Sequence, residues 1–135
     1  MEVKSQKSKF KTTSQNYKSD LKLRAFQFSL KVIRFCESLP KEQITRIIVD
    51  QLIRCVTSIG ANIVEAKSSS SRRDFIRFYE IALKSANEAK YWLFLLRESE
   101  RGDKERINEL LREAEELSKI LASSLITLKG KRLNF

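Results

Sequence analysis

Apolar residues recur along most of this 135-residue chain at alternating three- and four-residue steps, the spacing of one helical face. The longest such stretch runs from Ile44 to Leu96 and is interrupted once, by the polar segment 67–73 (Lys-Ser-Ser-Ser-Ser-Arg-Arg). Three glycines and one proline leave few turns, which argues against an all-β or α/β fold. The pattern predicts an all-α protein, an antiparallel up-down four-helix bundle with short connections.

The bundle is predicted to form one domain over residues 20–130, with helices at about 20–39, 41–67, 72–101 and 104–129. Asp20, Ser71 and Asp103 have the position and chemistry of helix N-caps. We expect Pro40 in the first turn of the second helix. We expect Gly102 and Gly130 to end the third and fourth helices.

The first helix offers two adjoining apolar rows, one containing Phe26 and the other Phe28. In the second helix, Gly60 interrupts an apolar row, and we expect Gly60 and Ala61 to form a close packing contact. The seams of the later helices are long. The second has Ile44, Ile48, Leu52, Cys55, Ile59, Ile63 and Ala66; the third has Phe75, Tyr79, Ala82, Ala86, Ala89, Leu93 and Leu96; the fourth has Ile107, Leu110, Ala114, Leu117, Leu121, Ser124 and Leu128.

Segment 91–96 (Tyr-Trp-Leu-Phe-Leu-Leu) is apolar on every side of the third helix. A helix that is apolar all round must be covered all round, and a four-helix core covers one side. We therefore expect Tyr91, Trp92 and Phe94 to contact another subunit of a homo-oligomer. The alternative is that the Phe26/Phe28 face of the first helix covers them.

The net charge of +10 is concentrated at the ends of the chain. The first 24 residues carry +5 and the last seven carry +3, while the residues between carry +2. Residues 1–19 form a basic arm without an apolar stripe, and residues 131–135 a basic tail. Such segments commonly bind phosphate backbones or acidic surfaces, and the alternative is a solvated, solubilising extension.

The chain has no histidine, which removes the commonest general base and metal ligand. Cys36 and Cys55 lie on apolar helix faces without a CxxC pair, so we interpret them as core residues. No metal, cofactor or catalytic site is predicted, and an enzyme is disfavoured. No leader segment or uninterrupted apolar run of about 20 residues is present, so we expect a cytoplasmic protein without a membrane span.

Four polar residues beside the apolar stripes stand out: Arg54, Asn62, Glu65 and Glu88. Their spacing favours a hydrogen-bond network that fixes helix register. The alternative is catalysis by a carboxylate pair.

The serine-rich break is the best candidate ligand site. Lys67, Arg72, Arg73 and Arg77 surround the start of the third helix, whose free N–H groups favour anions. The alternative is a solvated helix end with an intrahelical Arg73–Arg77–Glu80 charge pattern. Further basic residues complete the predicted nucleic-acid-binding set: Lys4, Lys7, Lys9, Lys11, Lys18, Lys129, Lys131 and Arg132.

Residues 51–66 (Gln-Leu-Ile-Arg-Cys-Val-Thr-Ser-Ile-Gly-Ala-Asn-Ile-Val-Glu-Ala) carry a family resemblance. It continues through Asp74-Phe75, Phe78, residues 81–88 (Ile-Ala-Leu-Lys-Ser-Ala-Asn-Glu) and 91–93 (Tyr-Trp-Leu). The chain resembles the bacterial 23S rRNA-intervening-sequence proteins from about Phe28 to Leu128. Many relatives have proline where Gly60 stands and glycine where Ala66 stands.

The resemblance implies an up-down four-helix bundle that assembles as a homo-oligomeric ring, commonly a pentamer, without established catalytic activity. A related branch serves retroelements as a basic accessory protein that binds nucleic acid and a reverse transcriptase. We therefore hypothesise a non-enzymatic homo-oligomer that binds RNA or DNA through phosphate contacts. The alternative is a protein-interaction scaffold whose basic ends bind an acidic partner such as a reverse transcriptase.

Overall fold

A computed structural model describes residues 21–133, with side chains through Gly130, as four α-helices and no strand within that range. The helices are α1 (Leu21–Glu37), α2 (Gln43–Ser68), α3 (Arg72–Glu98) and α4 (Lys104–Leu133). Each helix contacts the next in the chain, and α1 also contacts α4. These four contacts close a four-helix bundle, so the predicted all-α fold is confirmed. The basic arm, residues 1–19, lies outside the described residues.

One apolar core runs through the described bundle, and each helix contributes one stripe to it. In α3 the stripe includes Ala82, Ala86 and Ala89, all without exposed surface. Small side chains at these positions let α3 approach its neighbours closely, because interaxial distance depends on the side chains at the contact. Four predicted seam positions are less buried than expected. Ile44 is 58% exposed, Phe75 and Leu128 are partly buried, and Leu125 is buried in place of Ser124.

The first helix lies diagonally across the bundle from α3 and does not contact it. Its buried row contains Phe28, while Phe26 is 57% exposed. The alternative in which the Phe26/Phe28 face covers Trp92 is therefore wrong, because α2 and α4 separate the two helices.

Two sets of contacts show which parts of the described helices lie together. Gly60 of α2 faces Ala25 of α1, with the position of an added Cβ only 3.7 Å from the Ala25 Cβ. The prediction for Gly60 is thus confirmed, whereas Ala61 is exposed. Leu21, Phe75 and Leu128 line one cavity, which places the start of α1, the start of α3 and the last turns of α4 together. We call this end of the bundle, with residues 67–77 and 128–130, the serine pole.

The opposite end, which we call the far pole, contains the connections 38–42 and 99–103 and the first turn of α4. Arg101 donates to the buried Thr45 Oγ1 at 3.2 Å and pairs with Glu42 at 3.4 Å. Arg106 stacks over the Phe35 ring at 5.2 Å and donates to Ser38 Oγ at 3.3 Å. These contacts tie both connections to the bundle.

Two predicted N-caps are confirmed. Ser71 Oγ accepts the Asp74 amide at 3.1 Å, and Asp103 Oδ2 accepts the Arg106 amide at 3.0 Å. These bonds satisfy amides that the first turn of a helix otherwise leaves without a partner.

The helix ends differ more from prediction. Pro40 precedes the N-cap Glu42 of α2 and lies in the connection, so it is not in the first turn. Gly130 does not end α4, which continues to Leu133 and takes in part of the predicted 131–135 tail. An interior glycine costs about 1 kcal/mol, which a 30-residue helix tolerates.

The third helix ends before Gly102, in a Schellman turn. The Arg101 amide donates to the Leu96 carbonyl at 2.8 Å, and the Glu100 amide to the Arg97 carbonyl at 3.1 Å. Glu100 adopts φ 59°, the left-handed conformation that usually favours glycine. Gly102 has φ 99°, and an added Cβ would lie 2.7 Å from Leu39 Cδ2. The sequence therefore identified Gly102 as part of the turn after α3, but it did not identify Glu100 as the left-handed residue that ends the helix.

We expect Glu100→Gly to stabilise the protein by about 0.5 to 1 kcal/mol, because glycine adopts the left-handed conformation without strain. Gly102→Ala should destabilise it by about 2 kcal/mol or more, through strain and overlap with Leu39. Chemical denaturation of both variants measures these opposite effects. Equal effects at the two positions would contradict the assignment of the helix end.

Candidate nucleic-acid interface

The serine pole gathers exposed cations from two neighbouring segments. Lys67 lies in the last turn of α2, and Arg72, Arg73 and Arg77 lie in the first two turns of α3. All four side chains are exposed. The structure thus brings the four predicted residues of the serine break to one end of the bundle, on either side of a three-residue connection.

Two of these cations make no hydrogen bond, ion pair or ring contact among the described residues: Arg72 and Arg73. The Lys67 ammonium lies 6.0 Å from the centre of the Phe75 ring, at the outer limit of a cation–π contact. Both guanidinium groups of the break are therefore available to a planar anionic group such as phosphate.

The other two cations of the pole have intramolecular partners. Arg77 stacks over Phe78 at 4.8 Å and lies 3.8 Å from Asp74. Lys129 pairs with Glu80 across α3 and α4 at 2.7 Å. The alternative considered for this site was an intrahelical Arg73–Arg77–Glu80 charge pattern. The structure does not form it, because the Glu80 carboxylate pairs with Lys129 of α4 and not with Arg77.

The serines of the break stabilise local backbone. Ser69 Oγ donates to the Ala66 carbonyl at 2.6 Å, and Ser71 caps α3. These bonds explain why α2 stops and α3 begins within three residues. A ligand at this pole would be held chiefly by the arginine and lysine side chains, since the cap already uses the Asp74 amide.

The two ends of the bundle differ in how their cations are partnered. At the far pole, Arg101 and Arg106 hold the connections, and Arg97 pairs with Glu98 at 2.9 Å and donates to Asn108 at 2.7 Å. The serine pole instead leaves Arg72 and Arg73 without such partners in the described part of the chain. Exposed cations without such partners among the described residues also occur at the far pole, at Lys41, Arg46 and Lys104. The serine pole is therefore distinguished by two adjacent arginines that are both available to a ligand.

Several predicted contact residues cannot be placed. Lys131 and Arg132 lie in α4, and their side chains are outside the described set. The arm lysines also lie outside the described residues: Lys4, Lys7, Lys9, Lys11 and Lys18. Leu21, where the chain enters α1, borders the serine pole, so the arm is covalently attached at this end.

The predicted polar network divides into separate clusters. Arg54 pairs with Glu88 at 2.8 Å, and the Trp92 indole donates to the same carboxylate at 3.0 Å. Asn62 instead donates to the Ser58 carbonyl at 2.8 Å and to its hydroxyl at 3.0 Å. The Ser85 hydroxyl also donates to Ser58 Oγ, at 2.9 Å, which links α3 to α2.

Glu65 is exposed and makes no bond to either cluster within the described range. The prediction of one network was therefore wrong: Asn62 reaches the serine four residues earlier, too far along α2 to join Arg54 and Glu88. Ser58 and Ser85 were missed as members, although the i, i+4 spacing of Ser58 and Asn62 could have indicated their contact.

Hydrogen bonds from Trp92 and Cys55, opposed by desolvation and aided by the charge of Arg54, lower the pKa of Glu88 below its usual 4.5. Burial, reinforced by the hydrogen bond with Glu88, raises the pKa of Cys55 to about 12. Burial alone raises the pKa of Cys36 to about 11. Both thiols are inert core residues at neutral pH.

The aromatic residues predicted for a subunit interface are partly accessible. Tyr91 and Phe94 are 58% and 46% exposed, while Trp92 is half-buried beside Glu88. Arg97 covers the Phe94 ring at 4.7 Å. A second apolar patch, on the other side of the bundle, includes Phe26.

No cluster of three or more potential metal ligands occurs in residues 21–130. One helix, α2, is long and apolar enough to meet the length and composition criteria for a membrane span. A core helix of a soluble bundle meets the same criteria, and α2 buries Leu52, Ile59 and Ile63 completely. This is therefore weak support for a membrane segment.

Comparison with protein families matches the sequence model of the 23S rRNA-intervening sequence proteins to residues 18–123. The chain belongs to this family. The match includes both polar clusters and residues 67–77 of the serine pole, and it ends before residues 128–130. A comparison with curated proteins gives no match.

A similar solved structure comes from Bacteroides thetaiotaomicron VPI-5482, a protein of unknown function from the S23 ribosomal protein family. It is 37% identical, with a TM-score of 0.73, and the match covers 78% of this chain and 97% of the other. The resemblance stated from residues 51–93 is thus confirmed.

The lowered pKa of Glu88 generates a prediction for pH. A depressed pKa contributes stability above the unfolded-state value, and the contribution is lost as pH falls through the folded-state pKa. Glu88→Gln should therefore lower the melting temperature at pH 7, with a difference that shrinks towards pH 3. A difference that stays constant over this range would contradict the ionised pairing with Arg54 and Trp92.

The separate clusters predict different couplings in double-mutant cycles. Arg54→Ala and Glu88→Ala should be non-additive, by about 0.2 to 1 kcal/mol, as for an exposed ion pair. Asn62→Ala and Glu88→Ala should add to within about 0.5 kcal/mol, because they share no partner. Urea denaturation of the six variants measures both terms. Strong coupling of Asn62 with Glu88 would contradict the division into two clusters and would support a single network.

Proposed function

We propose that this protein is a non-enzymatic, cytoplasmic homo-oligomer that binds nucleic acid, RNA or DNA, through phosphate contacts. The serine pole is the proposed contact surface. The observation that carries the proposal is the pair of exposed guanidinium groups on Arg72 and Arg73, which have no partner among the described residues, with Lys67 across the connection. No membrane, metal or cofactor takes part in this proposal.

Position strengthens the electrostatic argument. Residues 1–24, with a charge of +5, enter the bundle beside this pole. The last turns of α4, which lead into Lys131 and Arg132, lie beside it as well. The proposal is that basic groups attached to this end of the bundle from three distant parts of the sequence act together, because the fields of neighbouring charges add.

An up-down order of the helices is part of the proposal. It is supported by contacts that pair late residues of one helix with early residues of its neighbour. Gly60, late in α2, faces Ala25, early in α1. Arg97, late in α3, donates to Asn108, early in α4, and Lys129, late in α4, pairs with Glu80 in the first third of α3. In such an order, both ends of the described chain and the α2–α3 connection belong to one pole.

Assembly into a ring is also proposed. Exposed Tyr91 and Phe94 lie on α3, and exposed Phe26 and Val64 lie on α1 and on the adjoining side of α2. Two different apolar patches suit a head-to-tail contact, in which every subunit presents both, and such contacts close into rings. A pentamer would carry five times the chain's net charge of +10, a strong attraction for a polyanion.

The exposed aromatic residues also support a second candidate, a scaffold that binds an acidic protein such as a reverse transcriptase. Aromatic residues are enriched in protein interfaces. Absorbance separates the candidates: a high 260/280 ratio that salt removes indicates bound nucleic acid. A clean protein peak that shifts only with a protein partner favours the scaffold.

A charge comparison tests the contact surface. Deletion of residues 1–19 together with Arg72→Ala, Arg73→Ala and Arg77→Ala should weaken binding of a 20-nucleotide single strand by about tenfold or more. The triple variant alone should show a smaller loss in the same direction. Fluorescence anisotropy with RNA and DNA strands of several sequences measures this, and the loss should depend weakly on sequence.

The control removes equal charge from the far pole, with Lys41→Ala, Arg46→Ala and Lys104→Ala. These three side chains are exposed, and the control should retain most of the affinity of the parent. Equal losses in the two triple variants would show that net charge, not the serine pole, governs binding. Unchanged binding by the combined deletion variant would overturn the mechanism.

A further inference from the structure

The outer edge between α2 and α3 carries polar side chains from both helices. Both helices are described from end to end, and the described α1 does not contact α3. Two side-chain bonds cross this edge, from Arg54 to Glu88 and from Ser85 to Ser58. Arg77 precedes Ser85 by eight residues, so both lie on one side of α3. We call this surface the polar edge: Arg54, Ser58 and Asn62 of α2 with Arg77, Ser85 and Glu88 of α3.

A half-buried chain of hydrogen bonds lies at the centre of the polar edge. The Ser58 hydroxyl accepts from Asn62 Nδ2 at 3.0 Å and from Ser85 Oγ at 2.9 Å. Asn62 Nδ2 also donates to the Ser58 carbonyl at 2.8 Å. Among the described residues, the O–H of Ser58 and the Oδ1 of Asn62 have no partner. This cluster therefore keeps one hydrogen-bond donor and one acceptor for a ligand.

The ligand group that matches such a pair is a hydroxyl. The ribose 2′-hydroxyl of RNA is both a donor and an acceptor, and it is the group by which a protein tells RNA from DNA. A deoxyribose at the same place displaces water from Ser58 and Asn62 without replacing its hydrogen bonds, which costs affinity. The cluster therefore favours ribose over deoxyribose.

Exposed cations lead from the serine pole to this cluster. Arg73 and Arg77 are one turn apart on α3, and Lys84 follows Arg77 by seven residues on the same side. Lys84, next to Ser85, makes no bond or ion pair within the described part of the chain. From Arg77 to Ser85 the rise along α3 is about 12 Å, the length of about three to four stacked nucleotides at about 3.4 Å each.

We propose that this protein prefers RNA to DNA, because an RNA strand bound at the serine pole continues along α3 and places a ribose 2′-hydroxyl against Ser58, Asn62 and Ser85. The cations hold the phosphates, and the polar cluster distinguishes the sugar. This inference rests on the proposed function, which includes both RNA and DNA, and it names the class of nucleic acid.

Acidic groups define the path of the strand. Glu88 is paired with Arg54 and accepts from Trp92, so its charge is largely compensated. Glu65, one turn beyond Asn62 on α2, is exposed and makes no bond in the described range, so it repels phosphate. The phosphates therefore follow α3, on the side of Lys84, while the sugar faces α2.

Fluorescence anisotropy with matched strands tests the preference in the full chain. Single-stranded RNA and DNA of one sequence, built only from adenine, cytosine and guanine, differ only at the 2′ position. We expect RNA to bind about three- to tenfold more tightly, the net contribution of one or two hydrogen bonds. RNA with 2′-fluoro groups, which keeps the ribose pucker without the hydroxyl donor, should bind like DNA.

Variants locate the preference. Ser85→Ala combined with Asn62→Ala should remove most of it while changing DNA affinity by less than about twofold. The ratio of the two affinities does not depend on the folded fraction, so partial unfolding does not imitate this result. The matched control is Ser29→Ala, a half-buried serine that joins α1 to α2 through the Val56 carbonyl, and it should preserve the ratio.

A charge variant tests the path separately. Lys84→Ala should weaken RNA and DNA binding by the same factor, about two- to fivefold, because both strands carry the same phosphates. Lys31→Ala, a matched exposed lysine on α1, should change neither affinity. Equal losses in the two lysine variants would overturn the path along α3.

The outcomes separate this inference from the proposed function. Equal affinity of the parent for RNA and DNA overturns the inference and leaves nucleic-acid binding intact. A preference that persists with 2′-fluoro RNA, or in the Ser85 and Asn62 double variant, also overturns it, because strand shape or another site then distinguishes the sugar. Failure of the parent to bind either strand contradicts the proposed function, and the inference falls with it.

Discussion

Burial of one apolar stripe from each of four helices is the constraint on which the rest of this structure depends. Each stripe has a partner on two neighbouring helices, so the register of every contact fixes the next. Fully buried Leu52, Ala86 and Leu117 belong to this common core. Polar contacts such as Ser58 with Ser85 add specificity at the edges of the helices, where water competes less strongly than at the exposed surface.

This constraint determines where charge is displayed. The α2–α3 connection joins helices that contact each other along their length, so Lys67 and Arg72 are held at one end. Leu21 of α1 and Leu128 of α4 line one cavity with Phe75 of α3, so residues far apart in sequence lie together at this end. At the far pole, Arg101 and Arg106 hold the two connections.

Much of the fold could be predicted from spacing, because periodic burial leaves a strong signal in sequence. The starts of α3 and α4 were predicted at Ser71 and Asp103, since a capping side chain has a local cause. The ends were harder. Glu100 adopts a left-handed conformation that its side chain does not favour, and Gly130 lies inside a helix, because bundle contacts outweigh local preference at both sites.

The candidate site was less predictable than the fold. Sequence identified the cations around the serine break, but not which of them have partners. The pairing of Glu80 with Lys129 depends on the register of α3 and α4, as does the division of Asn62 and Glu88 into separate clusters. Family membership supports the predicted fold. It assigns no role to the candidate site, because the similar Bacteroides thetaiotaomicron protein is itself of unknown function.

The salt dependence of nucleic-acid binding tests the central claim most directly. Released counterions make the logarithm of affinity fall linearly with the logarithm of salt concentration, with a slope proportional to the phosphates contacted. Our account predicts a steep slope for the parent, reduced by about one for each serine-pole cation removed and unchanged by removal of far-pole cations. A parent affinity that is independent of salt, or a slope that responds equally to both poles, would contradict it.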